Sequence, residues 1–267
     1  MAFEKITSVK NEGIKKLLEL RDRKGRDASG LTLIDGVREI KAALKANVSL
    51  QKIYVCPEIL SSQEYDGLIG DAVKRNVEIL ETAKIVSEKI AFGDRNEGAV
   101  AVAKPDGRKF SDIRLGKNPL IVVVEQVEKP GNLGAILRTC DAAGVDAVLV
   151  CDAKTDIYNP NVIRSSLGAV FTVTVATGSN KNAQQFLKKN KITVAGTFPD
   201  ASVPYDRHDY KKPSAIVLGS EQAGLSDFWH ENSDVKIQIP MHGQVNSLNV
   251  SATAAIVIYE AVRQRNA

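Results

Sequence analysis

The 267-residue sequence predicts an α/β protein of two domains built on mostly parallel sheets. Three observations predict it. Short apolar runs of strand length alternate with helical stretches along nearly the whole chain, the pattern of strand-helix-strand units. The run at 119–127, PLIVVVEQV, is continuously apolar at its centre, as a parallel strand covered on both faces must be. A polar, basic stretch at 104–118, KPDGRKFSDIRLGKN, is broken by Pro105, Gly107 and Gly116 and reads as a linker between residues 1–103 and 119–267.

Composition excludes several classes. No run approaches the ~18 apolar residues of a membrane span. The opening MAFEKITSVKNEG lacks the basic-then-apolar order of a signal peptide. Cys56, Cys140 and Cys151 are too few and too scattered for a disulfide framework or a zinc knuckle, which points to a reducing compartment, the cytoplasm. His208, His230 and His242 have no metal-ligand spacing, so no metal site is expected. A net charge of +4 permits a nucleic-acid partner without requiring one.

In chain order, residues 10–26, KNEGIKKLLELRDRKGR, form an amphipathic helix running into a basic tail. Lys10, Lys15, Lys16, Arg21, Arg23, Lys24 and Arg26 outnumber Glu12, Glu19 and Asp22. Such a patch is either a solvated helix face or a surface that contacts RNA phosphates without reading sequence. LTLIDG at 31–36 reads as a strand and 37–46 as a helix. A second strand at 50–56 precedes a helix over about 62–75, then a strand at 77–80 and a helix at 82–91. GAVAVAKP at 98–105 closes the series as a strand broken by Pro105. This first unit has no Gly-rich phosphate loop, carboxylate pair or nucleophile motif. It reads as a binding module.

The second half continues from its buried strand through a turn at 128–134 into a helix at 135–144, stopped by Gly144. Strands follow at 146–152, 171–176, 191–198 and 235–240, with helices at 161–168 and 182–190. SAIVLGSEQAGLS at 214–226 is a strand entering a Gly-rich turn. The end, IPMHGQVNSLNVSATAAIVIYEAVR at 239–263, crosses a polar knuckle into a helix apolar on nearly every side, hence buried. Asn246, Ser247, Asn249 and Ser251 at its start exceed what one N-cap needs. They are either an over-provided cap or a site.

In open α/β sheets ligands bind outside the carboxyl ends of the strands. Three loaded turns fall there, at 129–138, 218–224 and 240–251. Gly131, Gly134, Gly219, Gly224 and Gly243 in them permit close backbone approach to a ligand. A nicotinamide-dependent enzyme is disfavoured, because Leu133 stands where the middle glycine of a dinucleotide fingerprint is needed. Ser220 has no nucleophile-elbow context, and no acyl-transfer triad is visible.

The set Asn132-x-Gly134-x-x-x-Arg138, then Ile216-Val217-Leu218-Gly219-Ser220-Glu221-x-x-Gly224-Leu225-Ser226, then Ile239-Pro240-Met241 followed by Ser247-Leu248-Asn249-Val250-Ser251, resembles the SpoU (TrmH-like) family. These are RNA ribose 2'-O-methyltransferases of the SPOUT superfamily. The first hundred residues resemble the ribosomal-protein-like α/β substrate-binding domain of many members. Residues 156–171, DIYNPNVIRSSLGAVF, are similar to members that modify large-subunit ribosomal RNA, including antibiotic-resistance enzymes.

The resemblance implies a C-terminal trefoil knot, a homodimer joined through that domain, structured RNA as partner and S-adenosylmethionine as cofactor. The cofactor would lie bent against the turns at Gly219, Ile239 and Leu248, with Leu218, Met241 and Thr197 beside it. Family analogy gives activation of the ribose hydroxyl to Arg138. Asn132, Ser247 and Asn249 place it and the ribose, and Glu221 orients loop backbone or a neighbouring side chain. Arginine stays protonated in proteins, so orienting a phosphate or stabilising an alkoxide is physically easier for Arg138 than acting as a base. A transfer-RNA substrate and a non-catalytic RNA-binding module of the same fold are the alternatives.

Overall fold

The computed structural model describes residues 3–93 and 95–267; Met1, Ala2 and Asp94 lie outside the described residues, as do the first two positions of the opening stretch read above. The described chain divides into two compact units.

The first unit holds the residues up to Asp106 together with Tyr158–Thr172. Its elements are β1 (Glu4–Ile6), α1 (Glu12–Glu19), α2 (Arg23–Ser29), β2 (Thr32–Asp35), α3 (Val37–Lys45), β3 (Ser49–Val55), α4 (Ser62–Val73), β4 (Glu78–Thr82), α5 (Lys84–Ile90) and β5 (Ala99–Lys104). The basic stretch at 10–26 is therefore two helices, not one. The sheet order is β1-β4-β3-β5-β2. β1, β4 and β3 are parallel, whereas β5 runs antiparallel to both β3 and β2. β5 accordingly starts beside the carboxyl ends of β3 and β2, where Gly98 O and Ala99 O accept the Cys56 and Gly36 N–H groups. The core gathers Ile14, Leu17, Leu33, Tyr54, Leu80 and Val100.

The second unit holds Gly107–Ile157 and Val173–Ala267. It begins with β6 (Leu120–Glu125), α6 (Pro130–Ala143) and β7 (Ala147–Cys151). The chain then visits the first unit, where α7 (Pro160–Ser165) lies against β2 and α8 (Ala169–Thr172) against α3. There Thr32 donates its hydroxyl to Tyr158 O at 2.6 Å, and Arg164 pairs with Asp35 at 3.2 Å. The second unit resumes with β8 (Val175–Gly178), α9 (Asn180–Lys189), β9 (Thr193–Thr197), β10 (Val203–Pro204), β11 (Ser214–Leu218), α10 (Asp227–Asn232), β12 (Val235–Gln238) and α11 (Val250–Arg265). The strand read at 171–176 thus opens with the last two residues of α8, and β8 starts only at Val175. Its β-branched sequence favours a strand, but Phe171 and Thr172 belong to α8, which packs on α3 where Gly168 leaves no room for a side chain beside Ala42. β1, β10 and α10 carry too few apolar residues to have been visible as periodic runs.

All seven strands of the second sheet are parallel, in the order β10-β12-β9-β11-β6-β7-β8. Every residue of β6, β7 and β11 is buried, as the continuous apolar runs require. The linker stretch is not loose throughout: Phe110 and Ile113 sit in this unit's core with Trp229 and Leu187. Because β9, β11 and β6 are neighbours, the segments leaving them, together with that leaving β12, share one edge of the sheet. α11 then returns to pack on α6 and β11. Among the described residues no helix is long and apolar enough to cross a membrane.

Candidate functional site

The segment after β11 is a hairpin closed by two hydrogen bonds of 3.0 Å, Ser220 N–H to Gly224 O and Gly224 N–H to Ser220 O. It turns this tightly because Gly224 has φ +68 and because Gly219 has no side chain. A Cβ on Gly219 would lie 2.1 Å from the Gly224 carbonyl carbon.

Glu221 projects from this hairpin to the start of α6. Its carboxylate accepts the Asn132 side-chain amide at 2.6 Å and the Glu128 N–H at 3.3 Å. Burial alone would raise its pKa, but the Asn132 amide and backbone N–H groups, those of Glu128 and Lys129 included, outweigh burial and hold it below the ordinary value. Lys129, at the N-cap of α6, offers no side-chain cap, and Glu221 ties down the segment that enters the helix through the Glu128 N–H and the Asn132 side chain. α6 begins at Pro130, well before residue 135, where the sequence reading placed it. Proline suits this first helical position.

Asn132 is tied onward. Its carbonyl oxygen accepts the Asn249 amide at 3.2 Å. Asn249 is the N-cap of α11 and accepts the Ser251 N–H at 2.9 Å and the Ser251 hydroxyl at 2.6 Å. Asn249, not Ser251, therefore caps that helix. The three separate sequence motifs form one hydrogen-bonded chain, Glu221–Asn132–Asn249.

Beside this chain lies a cavity of about 410 Å³. Thr197, Leu218, Gly219, Ile239, Met241 and Leu248, all expected around the cofactor, line it together with Glu221 and Ser247. Thr197 spends its hydroxyl on Val217 O at 2.9 Å. Asn132, Asn249 and Arg138 do not line the cavity. Arg138 is exposed on α6; six residues beyond Asn132, it sits ~9 Å along the helix and ~120° around it. Phe198, Asp200, Tyr205 and Gln238 also line the cavity and were missed. The rule that ligands sit outside strand carboxyl ends, applied to β9, would have included Phe198 and Asp200, and applied to β10 would have included Tyr205.

The basic stretch divides on inspection. Arg26 is buried and donates to the carbonyls of Leu20 and Arg21 at 3.0 and 2.9 Å, so it closes α1 and is not available to RNA. Arg21 donates to the carbonyls of Lys89 and Ala91 at the end of α5. Both are corrections to the expected RNA patch, and the reason is the helix C-termini that need donors. Lys15 pairs with Glu12 and Arg23 with Asp27 on the surface. Lys10, Lys16 and Lys24 are exposed. The three cysteines are free and buried, and burial pushes the Cys140 and Cys151 thiols up. Among the described residues no cluster of His, Cys, Asp or Glu could hold a metal ion.

Residues 119–259 match the SpoU rRNA Methylase family. The chain belongs to that family. Residues 11–101 match the MRM3-like substrate binding domain. The 23S rRNA (guanosine(2553)-2'-O)-methyltransferase RlmP of Bacillus subtilis is 27% identical, over 96% of this chain and 98% of its own. A crystal structure of an RNA 2'-O ribose methyltransferase superposes with a TM-score of 0.86 at 38% identity, covering 98% of this chain and 100% of that one. The AdoMet-bound rRNA methyltransferase from Sinorhizobium meliloti superposes with a TM-score of 0.89 at 26% identity, over 98% of each chain. In the SpoU domain, the hairpin after β11, the segment after β12 and the segment after β9 wall the cavity, with the start of α11.

Proposed function

We propose that the protein transfers a methyl group from S-adenosylmethionine to a ribose 2'-hydroxyl of ribosomal RNA. The observation that carries this reading is the cavity, which gathers six residues from three distant stretches beside a bonded Glu221–Asn132–Asn249 chain. The cavity fits the cofactor in kind. Its volume of about 410 Å³ falls in the range of small-molecule sites. Leu218, Ile239, Leu248, Val250 and Val257 give it an apolar wall, and Gly219 keeps backbone within reach of a ligand.

When bound, S-adenosylmethionine supplies an activated methyl on a sulfonium, so the chain's own residues need only align the ribose oxygen and manage one proton. Arg138, an exposed permanent cation, is assigned to orienting the phosphate beside that ribose and to stabilising charge that develops on the 2'-oxygen. Ser247, at the cavity wall, and Asn132 and Asn249, bonded to each other, are assigned to placing the ribose. Glu221 holds Asn132 in the orientation that presents its oxygen to Asn249.

The same reading takes residues 1–103 as the RNA substrate-binding domain, 104–118 as linker and 119–267 as the methyltransferase domain. Lys10, Lys16 and Lys24 then contact phosphates. The C-terminal domain is read as a trefoil knot; supporting this, the chain leaves β12, passes the β11 hairpin and returns as α11 onto α6. A homodimer through that domain is supported by apolar side chains left in contact with solvent, Tyr259 at 49% exposure, Val245 at 64% and Leu248 at 37%. A cytoplasmic location belongs to the same reading and is supported by the similarity to the bacterial enzyme RlmP.

The test is to map 2'-O-methylation in ribosomal RNA from cells with and without the protein, and to assay Arg138→Ala in vitro. One ribose should lose its methyl in the deleted cells. Arg138→Ala should fold, bind S-adenosylmethionine and fail to transfer. Full transfer by that variant would refute the mechanism.

A further inference from the structure

We infer that Glu125 is a positioning residue for the cofactor hairpin, a role that rests on reading the cavity as the S-adenosylmethionine site. Glu125 ends β6 and is 1% exposed. Its hydrogen-bond partners among the described residues are all neutral. One carboxylate oxygen accepts the Ser226 N–H at 2.8 Å. The other accepts the Ser226 hydroxyl at 2.6 Å and the side-chain amide of Asn180. Asn180 in turn accepts the Trp229 indole N–H at 2.9 Å.

A buried carboxylate without a cation is costly, and apolar residues would fill a β-sheet core at least as well. What Glu125 does that an apolar residue cannot is hold the backbone of Ser226. Ser226 is where the hairpin that walls the cavity ends and α10 begins. Its hydroxyl goes to Glu125 instead of capping α10, which has no side-chain cap. The hairpin is thus held at both ends by carboxylates. Glu221 fastens its tip to α6, and Glu125 fastens its exit to β6. With both held, Gly219 and the residues around it keep one position relative to the cavity.

Glu125→Gln tests this with almost no change in volume. The amide must place an NH₂ group against either the Ser226 N–H or the donors of Ser226 and Asn180, so one end of the network meets donor with donor. S-adenosylmethionine affinity is measured by calorimetry, and methyl transfer by kcat and the KM for each substrate. Val148→Ala, a buried truncation on β7 outside the core cluster that holds Trp229, serves as a control for general loss of stability. Trp229, the chain's single tryptophan, reports the network by its fluorescence.

Glu125→Gln should weaken S-adenosylmethionine binding by about tenfold, the scale of losing a hydrogen bond to a charged group. It should also shift Trp229 emission while leaving the KM for RNA unchanged. The control should do neither. Should Glu125→Gln not fold, Ser226→Ala, which removes only the hydroxyl bond, must still weaken binding, and unchanged affinity there overturns the role. Equal affinity in wild type and Glu125→Gln overturns it too. Wild-type protein that does not bind S-adenosylmethionine overturns the reading of the cavity and this role with it.

Discussion

Gly219 is a position where a single methyl group decides the site. An added Cβ would meet the backbone of Gly224, not a flexible side chain that could give way. Gly219→Ala should therefore open the hairpin, cost about 1–3 kcal/mol in stability as overpacking does, and abolish detectable S-adenosylmethionine binding. Calorimetry beside urea denaturation checks both, and retained binding would mean the hairpin does not form the cavity wall. Asp35 makes a different residue-level prediction. Burial, with smaller contributions from Glu97 and Glu39, pushes its carboxyl up to about 6 from 3.8, against the Phe92 N–H and Arg164. The folded protein therefore holds this proton more tightly than the unfolded chain. Stability falls as pH rises from 3.8 to about 6, and the penalty is fully present above that. In Asp35→Asn this slope disappears, so the melting temperature of the variant minus that of wild type should climb across the same window. A difference flat with pH would show that Asp35 is not the titrating group.

At the scale of elements, the two helices that frame the site are both finished by distant residues. The start of α6 is tied to Glu221, so Glu221→Ala should both destabilise the fold by about 1–3 kcal/mol, the scale of lost bonds to a charged group, and release Asn132. α11 is fastened at its other end by Arg265. That guanidinium donates to Tyr210 O at 2.9 Å, Asn118 O at 2.8 Å, Pro119 O at 3.1 Å and Lys212 O at 2.9 Å. Its planar fork gathers four carbonyls in this half-buried place; Ser214 also donates to two of them, its N–H to Pro119 O at 3.1 Å and its hydroxyl to Lys212 O at 2.7 Å. Arg265→Ala should cost about 2–3 kcal/mol by urea denaturation, because lost bonds to a charged group are worth that much. Arg265→Lys should recover only part of it, since an ammonium cannot reproduce the fork. Full recovery would reduce the contact to charge alone.

At the scale of the molecule, the proposed RNA surface is narrower than seven basic residues. Arg26→Ala should lower stability, with little direct effect on RNA, because its guanidinium closes α1. Replacing Lys10, Lys16 and Lys24 together should weaken RNA binding and reduce the slope of log affinity against log salt by about 2, if each contacts a phosphate. The position methylated should not change, since phosphate contacts carry no sequence information. Filter binding at several salt concentrations measures the slope, and an unchanged slope would move the RNA surface elsewhere.

Much of this molecule was legible from local pattern. Continuous apolar runs such as LIVVVE and AVLVC announced buried parallel strands, because covering both faces leaves no position for polar residues. The glycines of the hairpin, the polar start of α11 and the motif around Asn132 marked the three segments that the fold brings to one edge. Pattern alone could not show that β5 reverses direction, since that is set by its pairing with β3 and β2, which lie far from it in the chain. Nor could it assign residues 158–172 to the first unit, because Arg164–Asp35 and Thr32–Tyr158 join positions more than a hundred residues apart. Glu125 was hidden for the same reason: a lone carboxylate after five apolar residues reads as the end of a strand, and only its burial beside Ser226 and Asn180 gives it a partner. Local sequence determines periodicity and caps, which depend on near neighbours; which distant groups satisfy a buried charge or an open helix end is decided only when the chain has folded.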